Sequence, residues 1–167
     1  TSIGIVADER IHPFNTTNTF DKAREWLKNY EPQCSDRIEE KIDLFQDFLC
    51  LKHFSYRCKQ LYSEDGWCLT GDAGMFLDPL YSPGSDFVGM NNGFITDIIS
   101  KFLQGQNISQ EVHEHERTFR SIFSGFTPIY EDQYSTMANS KVMSSKFVWD
   151  LMMYWGSIGP LFFNQKL

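Results

Sequence analysis

The segment from Trp67 to Gly84 constrains the fold of this chain more than any other. A short apolar run, Trp67 to Thr70, passes directly into Gly71-Asp72, and a turn region rich in Pro and Gly follows it. From Gly84, apolar residues recur at helical spacing over roughly 85–103. This order predicts a short strand, a tight turn, a second turn and then a long helix.

The two predicted turns have the chemistry of a ligand site. Gly71 has no Cβ, so the backbone there can approach a ligand closely. Asp72 places a carboxylate at the end of the strand, where it can accept a hydrogen bond from a sugar-like hydroxyl. The helix that follows Gly84 begins with unsatisfied N–H groups and a positive partial charge. On their own these features fit either a ligand site or a strand-turn-helix with a buried, structural aspartate.

A known family carries this pattern. Gly71-Asp72-Ala73, followed by Asp78-Pro79-Leu80 and Ser82-Pro83-Gly84, resembles the second FAD-contacting motif of flavoprotein oxygenases, and among them the flavin-dependent halogenases. The resemblance implies FAD as cofactor, with Asp72 on a ribityl hydroxyl and the helix start near flavin N1 and the C2 carbonyl. It identifies no catalytic residue and no metal ligand. The cofactor-binding residues that it implies are Gly71, Asp72, Pro79, Ser82, Pro83, Gly84 and Ser85.

Weaker likenesses extend over most of the chain. Residues 2–6 resemble a strand of the family's substrate sheet, residues 54–57 and 66–69 its hairpin, and residues 146–155 its C-terminal helical cap. The implied fold is α+β, mainly helical with a small sheet, and forms the C-terminal portion of a two-domain FAD/NAD(P)-binding flavoprotein. Its expected parts are the end of the substrate-domain sheet with connecting helices at 1–65, the FAD-contacting strand-turn-helix at 66–105 and the helical cap at 106–167.

The nucleotide-cradling half of such a flavoprotein is expected to lie elsewhere. A G-x-G-x-x-G turn between a strand and a helix normally holds the pyrophosphate, and the printed sequence contains none. The expected partners are therefore an N-terminal dinucleotide-binding half, a small-molecule substrate, and NAD(P)H or a partner flavin reductase as electron source. The alternative is a non-catalytic binding or interaction domain that retains the flavoprotein fold. The incomplete nucleotide site favours this alternative, and the intact motif from Gly71-Asp72 to Gly84 opposes it.

Pro83 departs from the halogenase pattern, which has Ser-Thr-Gly or Ser-Ser-Gly at this turn. Backbone amides there are implicated in holding the halide, and proline has no N–H. Losing a donor to a buried anion costs about 1–3 kcal/mol. The sequence therefore predicts a flavin-dependent monooxygenase or halogenase-like oxidoreductase, with halogenation the less favoured chemistry. The family's Trp-x-Trp-x-Ile-Pro motif and catalytic lysine are expected outside these residues.

Local patterns predict the remaining elements. Residues 2–7 read as a strand, Thr19 as the N-cap of a helix from Phe20, and Ser35 as a second N-cap. Alternating apolar residues predict a strand within 50–62, paired as a hairpin with 67–70. Helices are expected at 109–123 and 137–155, the latter ended by Gly156, Gly159 and Pro160. Gly89 and Gly93 lie four residues apart in the long helix, which predicts a close backbone approach.

Composition narrows the functional classes. The formal net charge of −7 and the lack of clustered basic residues exclude a nucleic-acid-binding surface. The sequence contains no run of 18 apolar residues, so it predicts no membrane span. The first residues do not resemble a signal peptide. A cytoplasmic location with four reduced cysteines is therefore expected. Aromatic residues make up 16% of the chain. Seven of them are expected either to line a pocket for an apolar or aromatic substrate or to pack in an ordinary core. These seven are Phe119, Phe123, Phe126, Phe147, Trp149, Trp155 and Phe162.

Overall fold

Helices account for most of the structure, a computed structural model that describes residues 2–164 and 166. Four strands of two residues each form two small antiparallel sheets. The predicted class, α+β and mainly helical with little sheet, is confirmed. The chain forms two compact units, residues 1–53 and residues 54–167, a boundary that no linker composition indicates.

The first unit is a pair of helices held by loops. Helix α1 (Phe20–Tyr30) begins as predicted, because the Thr19 side chain accepts a hydrogen bond from the Lys22 N–H. Helix α2 (Pro32–Glu39) follows after one residue and is tied to α1 by a bidentate hydrogen bond from Arg24 to Glu39, 2.7 and 2.6 Å long. Short 3-10 turns at Phe14–Thr16 and Ile42–Leu44 flank the pair.

Two predictions for this unit are wrong. Residues 2–7 form no strand; β-branched residues alone do not make one, because a strand needs a neighbour for its ladder. Ser35 is not an N-cap but lies buried inside α2, 6% exposed. The helix begins three residues earlier, at Pro32, because proline is well suited to the first helical position.

The second unit contains both sheets. Strand β1 (Tyr56–Arg57) pairs with β4 (Met75–Phe76), and β2 (Tyr62–Ser63) pairs with β3 (Trp67–Cys68). The hairpin predicted around residues 63–66 is thus confirmed. The single strand expected within 50–62 is instead two short strands in different sheets.

Four helices complete this unit. They are α3 (Pro83–Leu103), α4 (Ser109–Tyr130), α5 (Ser140–Met153) and α6 (Gly159–Phe163), with a π-helical turn (Tyr154–Ile158) joining the last two. Gly105 adopts φ +72° just beyond α3, which is the left-handed conformation expected after a helix end. Helix α4 ends at Tyr130 instead of at residue 123, about two turns later than its pattern predicts.

Two glycine predictions are wrong here. Gly156 and Gly159 do not stop the C-terminal helix, because the chain passes through them as the π-helical turn and the start of α6. Gly89 and Gly93 mark no close backbone approach: a Cβ on Gly89 would be 4.0 Å from the Phe162 ring, and one on Gly93 would meet nothing within 4 Å.

The core of the second unit lies between α3, α4 and the hairpin. Phe87 of α3 packs against Phe119, Phe123 and Phe126 of α4, with ring centroids 5.1–5.9 Å apart. Tyr62 donates a hydrogen bond to Asn91, whose amide donates to the Leu69 carbonyl oxygen at 3.0 Å. Both side chains are almost completely buried, and this polar network fixes α3 against the hairpin that leads to Gly71.

An acid-sensitive cluster lies near the end of α3. Asp97 accepts hydrogen bonds from His115 at 2.8 Å and from Lys101 at 3.0 Å. These bonds, His115 first, lower the pKa of the Asp97 carboxyl below 3.8. A carboxylate with a lowered folded-state pKa stabilises fully above its unfolded pKa, and that stability is lost as pH falls through the folded value.

Asp97→Asn should therefore flatten the acid limb of the stability profile. Between about pH 5 and about pH 2 the free energy of unfolding of the variant should fall less steeply than that of the wild type. Urea denaturation at a series of pH values measures both slopes. Equal slopes would show that the Asp97 cluster contributes nothing to acid unfolding.

No helix in the described residues is long and apolar enough to cross a membrane.

Candidate functional site

Strand β3 is followed by a turn that begins at Gly71 and lies beside α3. Gly71 has φ +55° and opens a 3-10 turn, Gly71–Ala73. A Cβ at Gly71 would lie 3.0 Å from Cγ2 of Val88 on α3, so a larger residue would be both strained and crowded. The side chain of Asp72, the next residue, is exposed to solvent. The sequence thus places a free carboxylate at the point where the hairpin meets the long helix.

Asp78 shapes the second turn. Its side chain is 8% exposed and accepts hydrogen bonds from the Leu80 N–H at 2.8 Å and from the Tyr134 hydroxyl at 2.8 and 2.9 Å. Burial, and next the bond to Asp78, raise the pKa of the Tyr134 phenol. Asp78 therefore has a structural role in the turn, and Pro79 next to it contributes its carbonyl oxygen to the Ser82 N–H at 3.0 Å.

The residues immediately before α3 have strained backbones. Tyr81 has φ 62° and Ser82 has φ 55°, both in the left-handed region. Such values are uncommon for residues other than glycine, and for a bulky residue they are outliers. Strained backbone of this kind concentrates at ligand sites. Pro83 follows as the first residue of α3 and is buried.

The two turns meet at Asp72 and Gly84. A Cβ on Gly84 would lie 4.0 Å from Oδ1 of Asp72, so the carboxylate stands beside the first turn of α3. Among the described residues the Gly84 N–H has no acceptor, whereas the Ser85 N–H donates to the Ser82 carbonyl oxygen at 3.2 Å. An exposed acceptor and a free helix donor therefore lie together, which fits the ribityl chain and the flavin ring of FAD.

The predicted site residues thus fall into two groups. Gly71, Asp72, Gly84 and Ser85 lie where the two turns meet. Pro79, Ser82 and Pro83 build the turn that aims α3, and Pro83 lacks an N–H at the first helical position.

A cavity of about 340 Å³ adjoins this turn. Its wall includes Tyr81 and Pro83 from the turn and Phe126 from α4, and also Phe147 and Trp155, two of the aromatic residues expected at a pocket. A second cavity, of about 1000 Å³, includes Phe126 and Trp149 in its lining. Of the other expected pocket residues, Phe119 and Phe123 are buried in the core and Phe162 lies on the surface.

Sequence reasoning missed the polar residues of the smaller cavity. Asp86 accepts a hydrogen bond from the Tyr154 hydroxyl at 3.2 Å, and Asp150 forms an ion pair with Lys146. The spacing of Lys146 and Asp150, four residues apart on a helix, is the signal that identifies the pair. The position of Asp86 in the first turn of α3 is explained by the helix dipole and has no such signal.

Comparison with known proteins agrees with the motif. A flavin-dependent halogenase of Dictyostelium discoideum is 22% identical over 161 residues, which cover 94% of this chain and 26% of that protein. A 1H-pyrrole-2-carbonyl-(peptidyl-carrier protein) brominase of Pseudoalteromonas luteoviolacea is 31% identical over 107 residues, 64% of this chain and 26% of that protein. No family model and no solved structure matches the chain.

The chain thus spans about a quarter of the length of these two relatives, 26% in each case. Their names support a halogenase-like, FAD-using oxidoreductase at the level of the family. The similarity to the Dictyostelium protein extends over nearly the whole chain, well beyond residues 71–85.

Proposed function

We propose that this chain is the flavin-contacting C-terminal part of an FAD-dependent monooxygenase or halogenase-like oxidoreductase that acts on an apolar or aromatic small molecule. The observation that carries the proposal is the position of the Asp72 carboxylate beside the first turn of α3, 4.0 Å from the Cβ position of Gly84. Bound flavin would supply the redox chemistry, with electrons from NAD(P)H or a partner flavin reductase.

In this proposal each part of the site has a distinct task. Asp72 accepts a hydrogen bond from a ribityl hydroxyl, while the Gly84 N–H and the helix dipole stabilise negative charge on the flavin ring. Residues 66–105 contact FAD, residues 106–167 form the helical cap, and residues 1–65 connect to the substrate domain. A dinucleotide-binding half holds the pyrophosphate, and the assembled enzyme is cytoplasmic.

Pro83 and the relatives favour different chemistry at the flavin. Proline at the start of α3 removes a donor that a halide would use, whereas the two relatives are named as a halogenase and a brominase. Oxygenation and halogenation are distinguished by the products that a flavoprotein containing this chain forms with and without chloride or bromide. We expect oxygenated product independent of halide; halogenated product would overturn the preference for oxygenation.

Equilibrium binding of FAD by this chain tests the proposal. We expect weak binding, seen by equilibrium dialysis at high FAD concentration and lost on gel filtration, because the contacts to the pyrophosphate lie elsewhere. FMN, which retains the ribityl chain and flavin ring, should bind about as well as FAD, and ADP should bind more weakly than either. Equal binding of ADP would show that the site recognises the nucleotide half, contrary to the proposal. A yellow protein that keeps one FAD per chain through the column would contradict the division of contacts.

A further inference from the structure

Helix α5 carries a buried ion pair that the proposed flavin contacts do not use. Lys146 and Asp150 are joined by their side chains, and each side chain is only 10% exposed. Removing two charges from water costs free energy that their attraction repays only with good geometry and further partners. Stability alone therefore explains the pair poorly, and its surroundings are informative.

The pair lies beside Tyr81, which is 40% exposed and is the first of the two left-handed residues before α3. The Lys146 ammonium lies 5.9 Å from the centre of the Tyr81 ring. Burial first, and then the charge of the Asp150 carboxylate, raise the pKa of the Tyr81 hydroxyl, and Tyr81 and Asp150 line the same cavity. Between them along α5, the Phe147 ring lies 6.0 Å from that of Tyr81. Side chains of one helix, α5, thus lie beside the ring of a single turn residue.

This contact accounts for the unusual backbone of the turn. A tyrosine does not adopt φ 62° without support from its surroundings, and Ser82 continues the left-handed path at φ 55°. The turn's own hydrogen bond, from the Ser82 N–H to the Pro79 carbonyl oxygen, closes the loop. That bond joins backbone atoms of the turn only. The Tyr81 side chain lies instead beside Lys146 and Phe147 of α5.

We propose that Lys146 and Asp150 are positioning residues that hold Tyr81 in its left-handed conformation and thereby aim the first turn of α3 at the space beside Asp72. This proposal rests on the proposed function, because the first turn of α3 is the part of the helix that would contact the flavin. The pair itself need not touch the cofactor. It couples the C-terminal helix to the turn through one aromatic side chain.

The test replaces the pair by apolar residues of similar volume, Lys146→Met with Asp150→Leu, so that no unpaired charge is left buried. The readout is amide hydrogen exchange in residues 81–86 of this chain. We expect exchange there to be about tenfold faster than in the wild type, with α4 unchanged. A matched control, Asp97→Leu with Lys101→Met, removes another i, i+4 ion pair at the far end of α3 and should leave the turn unchanged.

A rescue variant distinguishes positioning from general destabilisation. Asparagine tolerates the left-handed region, so Tyr81→Asn added to the double variant should slow exchange in the turn to within about threefold of wild type. Wild-type exchange rates in the double variant, or faster exchange that Tyr81→Asn leaves unchanged, would overturn the proposal. If the exchange results are as expected but the wild type binds no flavin, the proposed function fails and the positioning role stands.

Discussion

Replacing Phe123 with alanine is expected to lower the free energy of unfolding by about 3–5 kcal/mol, the range for large aromatic truncations in a core. Phe123 is 1% exposed and its ring lies 5.1 Å from that of Phe87 on α3. The Arg57 guanidinium lies over the ring at 5.0 Å, so the change removes a cation–π contact as well as apolar packing. Urea denaturation followed by circular dichroism measures the loss.

The control for this change is Phe102→Ala on α3, where the side chain is 53% exposed. Truncation of an exposed side chain should change the free energy of unfolding by no more than about 0.5 kcal/mol. Similar losses for the two variants would show that the core is not centred on the α3–α4 interface. Phe123 packs on Phe87, which lies one turn after Gly84 on α3. Phe123→Ala should therefore loosen the start of α3 and weaken flavin binding as well.

Asp72→Asn is expected to weaken flavin binding without changing stability. Hydrogen bonds to a charged group contribute about 1.5–3 kcal/mol, so the dissociation constant should rise about 10- to 100-fold. The side chain is exposed, and the amide is isosteric with the carboxylate, so the midpoint of urea unfolding should stay the same. Titration with FMN followed by flavin fluorescence gives the affinity.

Asp47→Asn is the matched control for the Asp72 change. Asp47 is exposed in the first unit, and both variants carry one negative charge fewer than the wild type, −6 instead of −7. Asp47→Asn should leave flavin affinity within about twofold of wild type, the range expected for an exposed residue outside the proposed contacts. An equal loss in both variants would assign the effect to net charge and remove Asp72 from the site.

The elements around the site could be predicted because local chemistry determines them. Gly71 has the positive φ that a glycine permits, the hairpin forms at residues 62–68, and α3 begins within two residues of the predicted position. Asp78 also accepts a turn hydrogen bond from the N–H of Leu80, two residues further along the chain. In each case the residue type restricts its own backbone, so neighbours along the sequence were sufficient evidence.

The misplaced elements depended on partners distant in sequence. Residues 2–7 have strand-like composition but no pairing neighbour. The span 50–62 divides because Tyr56 pairs with Phe76 while Tyr62 pairs with Cys68. The grouping of Tyr81 with Lys146 and Asp150 joins residues more than sixty positions apart. A pattern within one helix reveals the Lys146–Asp150 ion pair but not Tyr81, the turn residue that lies beside the pair.

The central claim is that the Asp72 carboxylate and the first turn of α3 contact the flavin together. Backbone amide NMR shifts of this chain during a titration with FMN test it most directly. We predict that the largest shifts cluster at residues 71–73 and 84–86, and that Asp72→Asn reduces both sets together. Shifts confined to one of the two turns, or centred on the core between α3 and α4, would contradict the claim.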